Sequence, residues 1–255
     1  PVFPLTASLS PIHPPLQAKA TPTATVAAPA NWRPVLENIK TMRAAGGAPV
    51  DTIGCAELPK AELPDRTRRF QCLVSLMLSS LTKAVRALQA LPDGLTPESV
   101  IALSDDDLRE AIRCVGFYNQ KTKSLKKTSQ ILLEKYDGDI PRSIKELTAL
   151  PGVGPKMAFL AMQEAWGDNV GIGVDVHVHR ISNTLGWVKT AKPEETRVAL
   201  ESWLPEEEWG PINKLLVGFG QIRCKARKPL CGDCLNRQLC PVGKKWKPDV
   251  KSRKK

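Results

Sequence analysis

Four cysteines within 17 residues constrain this 255-residue chain more than any other feature. Cys224, Cys231, Cys234 and Cys240 follow the spacing C-x6-C-x2-C-x5-C, with Pro241 after the last. Thiolates crowded into one loop repel one another unless protonated, oxidised or bound to metal, and a reducing compartment disfavours disulfides. Structural zinc usually draws on two close C-x2–4-C pairs, and only Cys231 and Cys234 form one here. A [4Fe–4S] cluster needs four thiolates and suits a single wrapping loop. The spacing therefore predicts a tetracysteine metal site, iron–sulfur ahead of zinc. Cys55, Cys72 and Cys114 are scattered and read as buried or inert.

The rest of the chain reads as helix. Trp32, Val35, Leu36 and Ile39 recur at i, i+3, i+4 and i+7, and Gly46–Gly47 close that segment. Leu73, Leu76, Met77, Ala84, Val85 and Leu88 carry the same period across 70–91, predicting one helix there. Thr96 followed by Pro97, and Ser104 followed by Asp107, are helix starts. Further helices are expected near 122–136, 143–149, 155–166, 176–186, 193–203 and 208–218. Alternating β-branched runs are scarce and aromatic content is only 5%, which argues against a β-sandwich. The expectation is an all-α protein of nine or ten short helices. The longest apolar run falls far short of the roughly 20 residues of a membrane span.

A formal charge of +11 points to a polyanionic partner, but its distribution is uneven. Residues 241–255 carry seven Lys or Arg against one Asp, whereas residues 1–30 hold seven prolines and a single charge, Lys19. Residues 1–30 cannot bury enough surface to offset their ordering entropy and read as disordered. They lack the charged start and apolar core of a secretory signal. Residues 246–255 form a basic tail, suited to a nuclear signal, a nonspecific DNA contact or simple solvation.

Two stretches between these ends carry chemistry. Leu150-Pro151-Gly152-Val153-Gly154-Pro155-Lys156 joins two short helices. Gly152 and Gly154 are expected at positive φ in the turn, and Pro155 at the first helical position. The backbone N–H groups of such a helix start bind anions, and a DNA phosphate suits them because no base is read. An ordinary helical hairpin would use the same residues. Lys156 follows the turn, where a helix N-terminus and partial burial disfavour the ammonium form, so it is a candidate nucleophilic amine. Downstream, Asp175 stands where the N-cap of a helix from about 176 belongs, which orients its carboxylate whether or not it does chemistry. His177 and His179 lie on different faces and are read as structural rather than as a metal pair.

Taken together and in this order, these motifs resemble the endonuclease III family of DNA glycosylases, most of all its eukaryotic homologues. The resemblance runs from Asn31 to Pro241 and rests on the helix-hairpin-helix turn, the segment leading to Asp175, and the cysteine loop. It implies a six-helix barrel domain (66–169), a cluster domain (31–65 plus 170–245) and an active site in the cleft between them. Lys156 matches the nucleophile and Asp175 the catalytic carboxylate. Cys224, Cys231, Cys234 and Cys240 match the ligands of the [4Fe–4S] cluster. Gly152, Val153 and Gly154 match the phosphate-binding turn. Phe117, in Gly116-Phe117-Tyr118-Asn119-Gln120-Lys121, matches an apolar wedge entering the duplex, with Lys121 beside it; a core phenylalanine is the other reading. Lys225, Arg227 and Lys228, between the first two cysteines, suit phosphate contact or a solvated loop.

The activity so implied is a monomeric bifunctional enzyme, nuclear or mitochondrial. It would excise oxidised pyrimidines from double-stranded DNA through a lysine Schiff base and cut the strand at the resulting abasic site by β-elimination. Three departures qualify the match. Leu81 occupies a position where the family usually has Gln, the segment after it is about one helical turn short, and Val176 replaces a Thr. A non-catalytic iron–sulfur DNA-binding relative is the alternative these departures leave open. A redox iron–sulfur protein lacks the second cluster motif or nucleotide loop it would need.

Overall fold

The computed structural model describes residues 27–247 except 56, 60, 80 and 81. The readings that fall on residues 1–26, on Leu81 and on residues 248–255 lie outside the described residues. Thirteen α-helices and no strand occur among them. The helices are α1 (Trp32–Arg43), α2 (Val50–Ile53), α3 (Asp65–Met77), α4 (Thr82–Gln89), α5 (Pro97–Ala102), α6 (Asp105–Ala111), α7 (Tyr118–Lys135), α8 (Ile144–Ala149), α9 (Pro155–Trp166), α10 (Val176–Thr184), α11 (Pro193–Glu201), α12 (Glu206–Ile222) and α13 (Pro241–Lys245). None of them is long and apolar enough to cross a membrane.

The all-α expectation holds, with more helices than the nine or ten read from periodicity. The local starts fall where their residue types demand. Thr96 and Ser99 form a reciprocal capping box with Pro97 in the first turn of α5, and Ser104 accepts from the Asp107 N–H at the head of α6. The single helix expected over 70–91 is instead two. α3 stops at Met77, and Ser79 takes a left-handed φ of 58°. Leu78 and Leu88, on either side of the break, are both fully buried. An apolar stripe shows which face is inward, and two helices facing one core preserve it across a kink.

Two hydrophobic cores result. In the first, α3 lies along α9, and Phe70, Leu73 and Met77 pack with Ala158, Ala161 and Met162. The alanines on α9 let the two backbones approach. Cys55 and Leu58 also pack here, although they precede α3. The second core draws on both ends of the described chain. The α1 stripe of Trp32, Val35, Leu36 and Ile39 packs with Ile212, Leu216 and Phe219 of α12 and with Val178 and Ile181 of α10. Trp203 links Trp32 and Trp187, at ring-centroid distances of 5.6 and 5.9 Å. Polar contacts fasten α1 to the far end: Asn31 Nδ2 donates to the Leu239 carbonyl at 3.2 Å, and Asn236 Nδ2 to the Val35 carbonyl at 3.0 Å.

Candidate active site

The turn between α8 and α9 is built around Gly152. Its φ is 82°, and a Cβ there would lie 2.9 Å from Ser124 Cβ. Both conformation and space therefore demand glycine. Gly152→Ala combines a left-handed penalty of about 1–2 kcal/mol with that clash, so melting should fall by roughly 4–8 °C; a thermal scan checks it. Thr128 Oγ1 holds the turn from α7 by donating to the Pro151 carbonyl at 3.1 Å, and Val153 is buried. Gly154 departs from expectation. It is the N-cap of α9 with φ of −95°, not positive, and nothing lies within 4 Å of where its Cβ would be. No side chain caps α9, and Pro155 occupies its first turn as expected.

Lys156 is exposed and makes no hydrogen bond or ion pair among the described residues; the partial burial expected for it is not seen. Asp175 caps α10 as expected. Its Oδ1 accepts from the N–H groups of His177 and Val178, both at 2.8 Å, which leaves Oδ2 outside the cap. Gly173 brings the two residues' surroundings together. A Cβ on it would sit 2.7 Å from Cγ and Cδ2 of Leu160 and 3.5 Å from the Lys156 carbonyl oxygen. The stretch that ends in Asp175 thus lies directly on the first turns of α9. Next to Asp175, Val176 is 74% exposed.

Sequence reasoning missed what holds that stretch. Asn213 of α12 donates from Nδ2 to the Gly173 carbonyl at 2.5 Å. Glu201 of α11 accepts from the Ile172 N–H at 2.7 Å and pairs with Arg197, whose guanidinium lies 4.9 Å from the Phe159 ring centre. Burial pushes the Glu201 carboxyl up, while the Ile172 N–H and Arg197 pull it down. A signal for Asn213 was present: Trp209, Ile212, Asn213 and Leu216 form one stripe at helical spacing, with a single amide among apolar residues.

At the start of α7, Phe117 is left-handed with φ of 58° and is 88% exposed. It is therefore not a core phenylalanine. An exposed aromatic on a left-handed residue is a candidate for a contact surface. Lys121 points the other way. Its ammonium donates to the Met77 carbonyl at the end of α3 and to Ser79 Oγ at 3.4 Å, and burial lowers its pKa.

Cys224, Cys231, Cys234 and Cys240 all line one cavity of about 170 Å³. By the same measure a single water needs roughly 10–15 Å³. Among the described residues, no three Cys, His, Asp or Glu side chains are grouped so as to hold one metal ion. Four cysteines lining one cavity of that size offer the donor set and the room that a cluster needs. Burial pushes the Cys224, Cys231 and Cys234 thiols up, opposed at Cys224 by Arg180 and at Cys234 by a backbone N–H. Such thiols keep their protons until a metal takes their place. Lys225, Arg227 and Lys228 are exposed on the loop between the first two cysteines, Lys228 with φ of 52°. Trp246, read from sequence as the start of the tail, packs instead on the segment that follows Cys231. A Cβ on Gly232 would lie 3.0 Å from its ring, and Arg237 stacks on it at 4.8 Å.

Residues 71–206 match the family model described as HhH-GPD superfamily base excision DNA repair protein. The chain is 53% identical over 222 residues to Endonuclease III-like protein 1 of Bos taurus, covering 85% of this chain and 73% of that one. It is 49% identical over 224 residues to Endonuclease III-like protein 1 of Gallus gallus, covering 86% and 80%. Among solved structures, a trapped endonuclease III–DNA covalent intermediate, an estranged-adenine complex, superposes with a TM-score of 0.72 at 30% identity, covering 84% of this chain and 95% of that one. With helix-hairpin-helix turn, two-core helical fold and relatives all in agreement, this chain belongs to the HhH-GPD superfamily of base excision DNA repair proteins, in its endonuclease III family.

Proposed function

We propose that this base excision repair DNA glycosylase is bifunctional: it releases oxidised pyrimidines from duplex DNA with Lys156 as nucleophile and then cuts the strand as an abasic-site lyase. The observation that carries this reading is the seating of Gly173 on the first turns of α9, against the Lys156 carbonyl and two residues before the capped Asp175. A damaged base leaves the stack more cheaply than a sound one and is flipped toward that cleft. The Lys156 amine attacks the sugar C1′ through its nitrogen lone pair as the C1′–N bond to the base breaks, and the base leaves with the bonding electrons and takes up the proton that the nitrogen sheds. Asp175 stabilises the positive charge that develops on the sugar and relays protons. Ring opening yields a Lys156 Schiff base, which acidifies the C2′ proton; its loss expels the 3′ phosphate by β-elimination. That a related enzyme has been trapped as a covalent DNA intermediate supports this chemistry.

Around this centre, the uncapped start of α9 at Gly152–Gly154 receives a DNA phosphate. The open space over Gly154 is what a close backbone approach requires. Phe117 wedges into the duplex, and Lys225, Arg227 and Lys228 add phosphate contacts. Lys121 acts from beneath, steadying the end of α3 near that wedge. Cys224, Cys231, Cys234 and Cys240 hold a [4Fe–4S] cluster. When bound, the cluster supplies four cross-links that set the 224–240 loop in one shape. The enzyme works as a monomer in the nucleus or mitochondrion. A non-catalytic relative is disfavoured because Lys156 and Asp175 are both retained.

Borohydride trapping on a duplex bearing one thymine glycol tests the proposal. A covalent adduct supports the amine nucleophile; no adduct, with DNA bound and cluster intact, refutes it. Asp175→Asn separates charge from capping, since Asn caps a helix as well as Asp. Base release in a single-turnover assay should slow by roughly 10²–10⁴-fold, with a melting curve close to that of the wild type.

A further inference from the structure

The backbone leading to Asp175 has no secondary structure from residue 167 to the start of α10, yet residues 171–174 are buried. Buried peptide groups outside helices and sheets must find partners elsewhere. Here side chains provide them from two other helices: Glu201 takes the Ile172 N–H and Asn213 gives its amide hydrogen to the Gly173 carbonyl. Asn213 is 9% exposed and sits among the apolar residues of α12. The same Gly173 rests on Leu160 and the Lys156 carbonyl. One residue of backbone therefore separates the helix that carries Lys156 from the amide that grips the other side. Asp175 follows two residues later.

We propose that Asn213 is a positioning residue for base release, fixing Asp175 relative to Lys156 through the Gly173 carbonyl. The inference rests on the assignment of Lys156 and Asp175 as the reacting pair. Without the amide, the Gly173 carbonyl is left buried and unpartnered, and the segment moves to find another donor. A displacement of about 1 Å at a reacting pair costs on the order of 100-fold in rate. Glu201 holds the neighbouring peptide and keeps the segment in place, so Asp175 shifts rather than detaches.

The test is a double-mutant cycle. Asn213→Leu keeps the size and removes the donor; Asn213→His retains an N–H at similar reach. Each is made alone and with Asp175→Asn. Single-turnover base release is measured on a thymine glycol duplex at saturating enzyme, so that binding drops out, and affinity is measured on a duplex with a tetrahydrofuran abasic analogue. Asn213→Leu should slow release on the order of 100-fold with affinity changed by less than about threefold, and Asn213→His should recover roughly 10-fold of that loss. With Asp175 already Asn, Asn213→Leu should cost less than about threefold more, because residues acting through one another are non-additive. Losses that multiply in full, or an Asn213→Leu rate within about threefold of wild type, overturn the proposal. If Asn213→Leu does not fold, Asn213→Ser, whose shorter hydroxyl falls short of the carbonyl, carries the same cycle. Borohydride trapping of the wild type accompanies the series. A missing adduct refutes the Lys156 assignment and this proposal with it; an intact adduct with multiplying losses refutes the positioning role alone.

Discussion

Lys156→Gln should leave no borohydride-trapped adduct and should cut strand scission by on the order of 10⁴-fold or more, the scale seen when a covalent nucleophile is removed. The structure makes this an unusually clean substitution. Lys156 is exposed and unpaired among the described residues, so its loss removes no packing and leaves no buried partner stranded. Surface changes of this kind usually fall within ±0.5 kcal/mol, and the melting temperature should move by about 2 °C or less. The uncapped N–H groups of α9 remain, so duplex affinity should fall only by the share of one cation, with a slightly shallower salt dependence. Strand cleavage persisting at wild-type rate would remove the lysine from the mechanism.

Cys231→Ser should have the largest effect on the fold. Cys231 and Cys234 form the close pair of the tetracysteine loop, and all four thiols face one cavity. A serine there leaves three sulfurs for a group that takes four. The purified variant should lack the brown colour and most of its iron and sulfide. Loss of a metal site belongs with the rare changes costing more than about 4–5 kcal/mol, which corresponds to a fall in melting temperature of roughly 10–20 °C. Trp246 should report the change directly, because its ring packs on Gly232 between those two cysteines and its fluorescence will shift as the loop loosens. Metal analysis of the wild type is the control: stoichiometric zinc without iron would overturn the cluster assignment.

What could be read before the structure was whatever depends on short stretches of chain. Thr96, Ser104 and Asp175 cap helices because each satisfies N–H groups two or three residues away, and such chemistry is written locally. The cysteine spacing and the Pro151–Pro155 turn are local in the same sense. Periodicity merged α3 and α4 because the break at Ser79 keeps both apolar faces inward. Gly154 was expected at positive φ on the strength of its residue type, but its freedom lies in the open space around it. The exposure of Phe117 was undecidable from its neighbours, since an aromatic before a helix serves a core or a surface equally well. Lys121 read as a DNA contact beside the Phe117 wedge, yet its ammonium donates to a helix end 44 residues earlier in the chain. Asn213 was visible as an amide on an apolar stripe, but its partner lies 40 residues away and only the packed fold reveals it.

The way the second core is assembled governs how such a chain can be made. Asn31 reaches a carbonyl 208 residues ahead and the Val35 carbonyl a side chain 201 residues ahead, whereas the first core is complete by Val170. At roughly 5–20 residues per second of synthesis, α1 leaves the ribosome about 10–40 s before its last partners exist. During that interval its apolar stripe is available to chaperones while the first core folds behind it. Cys240 emerges after Asn236 and Leu239, so the tetracysteine loop closes at the moment α1 can finally dock. A premature stop ahead of that point would yield the first core with an unpartnered amphipathic helix attached, a product suited to proteolytic clearance rather than to partial function.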